Sequence, residues 1–257
     1  MEEIERSQIY FVGVGPGDPE LITVKGKRLI ETADVIIYTG SLLNKDIISW
    51  AKPNAELYDS APLTLEEILE LMEKSIKNGK KVVRLHDGDP SIFGALNEQM
   101  EFLEKKGISY EIVPGVSSFL AASASLKKEL TVPEISQTVI LTRCEGRTPV
   151  PEGEKLGDLA KHKASMVIFL SVHMIDRVVK ELKEGYKEDT PCAVVYKASW
   201  YDEKIIYGRL SDIATKVKTA NIKKTALILV GDFLGTSGKR SRLYDKAFSR
   251  GFRRAKK

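Results

Sequence analysis

Apolar runs of four to six residues alternate along this chain with segments whose apolar positions recur every three to four residues. The runs predict strands over Ile9–Val14, Val35–Tyr38, Val82–His86 and Tyr110–Val113, and the periodic segments predict helices over Val24–Thr32, Leu65–Asn78 and Ala95–Lys106. Strand and helix in alternation make a largely parallel sheet with helices on both faces, and such sheets bind ligands at the carboxyl ends of their strands. In Thr64–Met72 the pair Thr64 and Glu67 has the spacing of a capping box, so the apolar residues that follow belong to the core. After a helix at Ser117–Leu126 the pattern resumes, with strands near Val139–Thr142, Met166–Leu170, Ala193–Tyr196, Ile205–Tyr207 and Leu227–Val230. The charged segment Leu126–Pro133 reads as a linker. The expected fold class is α/β: two α/β domains with mostly parallel or mixed sheets and a cleft between them. The N-terminal domain is assigned to 1–126, the C-terminal domain to 127–236 and a basic tail to 237–257.

Three predicted strand ends carry unusual loops. The first, Gly13-Val14-Gly15-Pro16-Gly17-Asp18-Pro19, has three glycines at alternate positions, which permit a sharp turn and close approach of backbone to a ligand. It departs from the dinucleotide fingerprint, because Asp18 stands where the third glycine belongs and its carboxylate would repel a pyrophosphate. The second, Asp87-Gly88-Asp89-Pro90-Ser91-Ile92-Phe93-Gly94, combines two acids, two glycines and a proline. Read locally, Asp89-Pro90 is a helix start, with a capping acid and proline at the first helical position. Read for function, its carboxylates and carbonyls accept hydrogen bonds from an amine or a ribose, as an adenosine-bearing cation would offer. The third, Val113-Pro114-Gly115-Val116-Ser117-Ser118, places two hydroxyls at a helix N-terminus, where they either cap the helix or bind a polar ligand group.

Composition narrows the classes. The 257 residues are 42% hydrophobic, enough for one large core or two smaller ones, and the formal charge is only +4. Much of that charge lies between Lys239 and Lys257, and the body carries no basic stripe interleaved with aromatics, so nucleic acid is not expected as a partner. No apolar run reaches the length of a membrane span and the N-terminus is acidic, which predicts a cytoplasmic protein with no membrane partner. Cys144 and Cys192 lie far apart with no metal-ligand spacing, and His86, His162 and His173 sit at element boundaries, so no metal site is expected. Trp200 and Tyr201 are read as packing residues.

Together the three loops, with the closing Thr225-Ala226-Leu227-Ile228-Leu229-Val230-Gly231, resemble the S-adenosylmethionine-dependent tetrapyrrole (corrin/porphyrin) methyltransferases, over about residues 8 to 235. Within that family the stretch Pro133–Pro151, with Tyr38–Asn44 and Ile168–Ser171, is most similar to the branch that methylates C-11 of precorrin-4 or its cobalt form in cobalamin synthesis. The resemblance implies S-adenosyl-L-methionine as cofactor, S-adenosyl-L-homocysteine as product, a precorrin as tetrapyrrole substrate and a homodimer. It implies cofactor contacts from Pro16, Asp87, Gly88, Asp89, Ile92, Ser117 and Ser118, with Val172, Ala198, Thr225 and Ala226 supplied by the second domain. Many relatives have a methionine where Val172 stands.

A corrinoid precursor is a flat apolar ring fringed by carboxylates, so cations should meet it. Lys25, Arg143 and Arg147 are the candidates, each alternatively a solvated surface charge. Asp18 is the candidate catalytic residue, accepting a hydrogen bond from a ring nitrogen or removing a proton after methylation; capping the first helix is the other reading. A sister enzyme acting on uroporphyrinogen or another precorrin would keep the cofactor loops and change the Arg143–Pro151 region.

Overall fold

A computed structural model describes residues 8–40, 43–235, 247–249 and 251–254, and these fall into two compact units. The tail assigned to 237–257 lies largely outside the described residues, as do Ser41 and Leu42. The first unit contains residues up to Ala121 together with Lys197–Asp202, and the second contains Ala122–Tyr196 and the chain from Glu203 onward.

In the first unit the elements are β1 (Ile9–Gly13), α1 (Val24–Thr32), β2 (Val35–Tyr38), α2 (Lys45–Ile48), β3 (Glu56–Asp59), α3 (Leu65–Lys77), β4 (Val82–His86), α4 (Asn97–Lys105), β5 (Tyr110–Val113) and the start of α5 (Ser118–Leu126). The sheet order is β3-β2-β4-β1-β5, parallel throughout. Both faces of β1 and β4 are buried, which is why those strands read as unbroken apolar runs. One face packs Tyr10, Val12, Val83 and Leu85 with Leu29 and Ile30 of α1; the other packs Ile9, Phe11 and Val82 with Ile68 and Met72 of α3 and Leu103 of α4. The Thr64–Glu67 capping box is present in full.

Helix α4 starts at Asn97, which corrects two expectations: a helix from Ala95, and one opening at Asp89-Pro90. Residues 90–93 form an isolated turn instead. Phe93 and Ala95 hold φ of 56° and 47°, left-handed values that a continuing helix cannot contain. Strand β3 escaped the pattern reading because it is an edge strand, only partly buried, with acids at both ends.

The second unit carries β6 (Val139–Arg143), α6 (Leu156–Ala160), β7 (Ser165–Phe169), α7 (Ile175–Leu182), β8 (Pro191–Tyr196), β9 (Lys204–Arg209), α8 (Ile213–Thr219) and β10 (Ala226–Val230). Its sheet, β6-β7-β10-β8-β9, is mixed: β6 and β7 run parallel and the other pairings are antiparallel. The strand expected to reach Leu170 ends at Phe169, because Leu170 turns to φ 54° and stands 64% exposed.

Candidate functional site

The carboxyl ends of β4, β1 and β5, neighbours in the first sheet, carry the three loops singled out in the sequence. They are tied together by backbone. Val14 N–H donates to the His86 carbonyl at 2.9 Å, Gly15 N–H to the Gly88 carbonyl at 3.2 Å, and Gly88 N–H returns to the Gly15 carbonyl at 2.8 Å. Asp89 joins the third loop: its Oδ2 accepts from Gly115 N–H and its Oδ1 from Ser91 N–H, both at 2.8 Å. The carboxylate therefore organises two loops through backbone amides.

That closeness explains the glycines. A Cβ on Gly13 would lie 2.6 Å from the Gly115 nitrogen, and one on Gly115 would collide with the Gly88 carbonyl oxygen. Gly88 itself adopts φ 63°. Asp87, between His86 and this network, is exposed at the strand end, yet the protein packed about its carboxyl displaces enough water to raise its pKa. Ile92 is half-buried and Ser117 is buried at the head of α5.

The first loop is braced by the 197–202 segment of its own unit. Trp200 Nε1 donates to the Pro16 carbonyl at 2.9 Å, and the indole lies so close to Gly17 that no Cβ fits between them. Ser199 Oγ accepts from Asp18 N–H at 3.0 Å, and Asn44 Nδ2 donates to the Gly17 carbonyl at 3.0 Å. Ala198 is buried in this segment, between Lys197 and Ser199, both at positive φ. Trp200, a packing residue by sequence alone, thus also holds Pro16, which no local signal in the chain marks; the neighbouring Tyr201 is 95% exposed.

Asp18 Oδ1 accepts from Glu20 N–H at 2.9 Å and caps a short 3-10 turn, Pro19–Leu21, while Thr23 caps α1. Lys25 on α1 forms an ion pair with Glu111 on β5. In the second unit Arg143 donates to the carbonyls of Thr148 at 3.1 Å and Pro149 at 2.5 Å, so its guanidinium closes its own loop; Arg147 on that loop is exposed. Val172 is buried among Ile175, Met166 and Ile168, so its side chain is core. Thr225 is exposed at φ 53°, a costly conformation for a β-branched residue, and Ala226 opens β10. Among the described residues no group of three His, Cys, Asp or Glu side chains is placed to hold a metal ion. Burial raises both thiols, Cys144 to about 11 and Cys192 to about 12, so each is neutral at ordinary pH.

The profile of the Tetrapyrrole (Corrin/Porphyrin) Methylases matches residues 8–214. A cobalt-precorrin-4 C(11)-methyltransferase of Methanocaldococcus jannaschii is 62% identical over 252 residues, 97% of each chain. The X-ray structure of a cobalamin biosynthetic enzyme, cobalt precorrin-4 methyltransferase, superposes with a TM-score of 0.87 at 50% identity, covering 89% of this chain and 96% of that one. A uroporphyrin-III C-methyl transferase from Thermus thermophilus, solved in complex with S-adenyl homocysteine, gives a TM-score of 0.76 at 30% identity, covering 89% and 99%.

Proposed function

We propose that this chain, which belongs to the tetrapyrrole (corrin/porphyrin) methylase family, is an S-adenosylmethionine-dependent methyltransferase acting on C-11 of precorrin-4 or cobalt-precorrin-4. The observation that carries the cofactor assignment is the triple loop at the ends of β4, β1 and β5. Asp89 and the Gly15–Gly88 bridge use up its internal hydrogen bonds while Asp87 stands outside them. A carboxylate in a partly dehydrated site beside these loops suits a ligand with an ammonium group and ribose hydroxyls. The residues present fit S-adenosylmethionine.

In this reading Asp87, Gly88 and Ile92 contact the cofactor, Pro16 shapes its niche, Ser117 and Ser118 offer polar groups from the head of α5, and Asp89 positions the loops. When bound, the cofactor supplies an electrophilic methyl to a carbon nucleophile. The protein's share is orientation, which can lower such a barrier by about 7–11 kcal/mol. Asp18 is the proposed acceptor of the proton lost as the methylated ring rearranges, acting while its Oδ1 holds the cap. Arg147 is the proposed contact for a substrate carboxylate from the second unit. Thr225 is proposed to hold its strained backbone for the cofactor.

Titration calorimetry with S-adenosylhomocysteine, run beside NADH, tests the cofactor assignment. Micromolar binding of the homocysteine product alone is expected. Absence of binding, or binding of NADH in its place, contradicts it.

A further inference from the structure

Arg84 is the third residue of β4, paired in register with Phe11 of β1 and Ile37 of β2, in the interior of the first sheet. It is 7% exposed, and among the described residues it is the single Lys, Arg, Asp or Glu side chain in the buried class. Fourteen ion pairs engage cations elsewhere among the described residues, Lys25 with Glu111 included, and none includes Arg84. Its Nη1 donates to Ser60 Oγ at 2.7 Å, and its Nε, buried, has no hydrogen-bond partner. Burial lowers its pKa to about 10, so the guanidinium stays charged. Asp59 attracts it at longer range, but that carboxylate already accepts from Gly40 N–H at 3.0 Å and Ala61 N–H at 2.9 Å.

A buried charge without a partner is costly, and a core position accepts an apolar residue at less expense. A water molecule could satisfy the Nε donor but not the charge. Ser60 directly follows β3, so the guanidinium, although rooted within β4, reaches the carboxyl end of the sheet. There the Ser60 and Thr39 hydroxyls lie 3.3 Å apart. Planar and forked, with no ion pair and only the longer-range attraction of Asp59, this group matches a carboxylate from outside the fold.

We infer that Arg84, steadied by the Ser60 hydroxyl that itself donates to the Tyr38 carbonyl at 3.0 Å, receives one peripheral carboxylate of the tetrapyrrole substrate. The inference rests on the substrate class proposed above. Arg84 is a substrate-binding residue that sets the placement of the ring and takes no part in methyl transfer.

The test is steady-state kinetics of Arg84→Lys and Arg84→Met with cobalt-precorrin-4, alongside calorimetry with S-adenosylhomocysteine. Losing a charge-assisted hydrogen bond predicts a KM raised about 10- to 100-fold in Arg84→Met, less in Arg84→Lys, with kcat reduced less than about threefold and product affinity unchanged. An unchanged KM overturns the inference. So does a parallel loss of kcat, product affinity and thermal stability, which marks a purely structural arginine. Should the variants fail to fold, the slowly exchanging arginine Nε–H resonance of the wild-type protein decides: it should shift on adding uroporphyrin, a stable polycarboxylate porphyrin, and constancy under saturating uroporphyrin overturns the inference. Wild-type protein that binds the homocysteine product but does not turn over cobalt-precorrin-4 instead sinks the substrate assignment, and this inference with it.

Discussion

A methyl group at residue 115 would stand where the Gly88 carbonyl oxygen lies. Gly115→Ala should therefore push the second and third loops apart, costing about 1–3 kcal/mol of stability by overpacking and weakening S-adenosylhomocysteine binding; chemical denaturation and calorimetry read the two effects. His86 makes a separate prediction. Buried against Phe11, with Arg84 nearby, it has its pKa lowered to about 4 from an ordinary 6.5. The folded state thus binds fewer protons than the unfolded state between those values, so stability falls as pH drops through that window, by roughly 3 kcal/mol at most. Denaturation at a series of pH values should show this slope, and His86→Gln should remove it. The depressed carboxyls of Asp34, Asp59 and Asp212 act lower, because their stabilisation is lost only as pH falls through their own folded pKa values.

Among the elements, the 197–202 segment has the most to reveal. It lies between β8 and β9 in sequence yet packs in the first unit, where Trp200 holds the Pro16 carbonyl. Trp200→Phe keeps an aromatic ring and deletes that hydrogen bond, so product affinity should drop several-fold with a stability loss of about 1 kcal/mol. An unchanged affinity would mean that the first loop needs no brace. By contrast Thr64→Ala, which breaks the α3 capping box, should cost about 1 kcal/mol and leave binding alone. The buried strands were legible from the sequence because apolar runs with glycine-rich ends admit few other readings. Edge strand β3 was not, since its exposure alternates but its residues, Glu56-Leu57-Tyr58-Asp59, do not alternate apolar with polar. The helix at Asp89-Pro90 failed for a different reason: capping chemistry was present, but the acid was committed to Gly115 and the backbone reversed at Phe93 and Ala95. Arg84 was invisible as a site because nothing local in Val82–His86 distinguishes a buried cation from an edge one.

For the molecule as a whole, two α/β units, one with a parallel and one with a mixed sheet, serve a single methyl transfer to a tetrapyrrole. The loops that carry the cofactor assignment were legible at that scale because they recur at three strand ends. The substrate came only through resemblance, since no spacing of residues encodes a corrin ring. The direct test is to incubate the protein with cobalt-precorrin-4 and S-adenosylmethionine labelled with carbon-13 at its methyl, then examine the tetrapyrrole by mass spectrometry and NMR. A single label on C-11 is the predicted result. A label on another ring carbon, or an unlabelled tetrapyrrole from protein that binds the cofactor, would contradict the account.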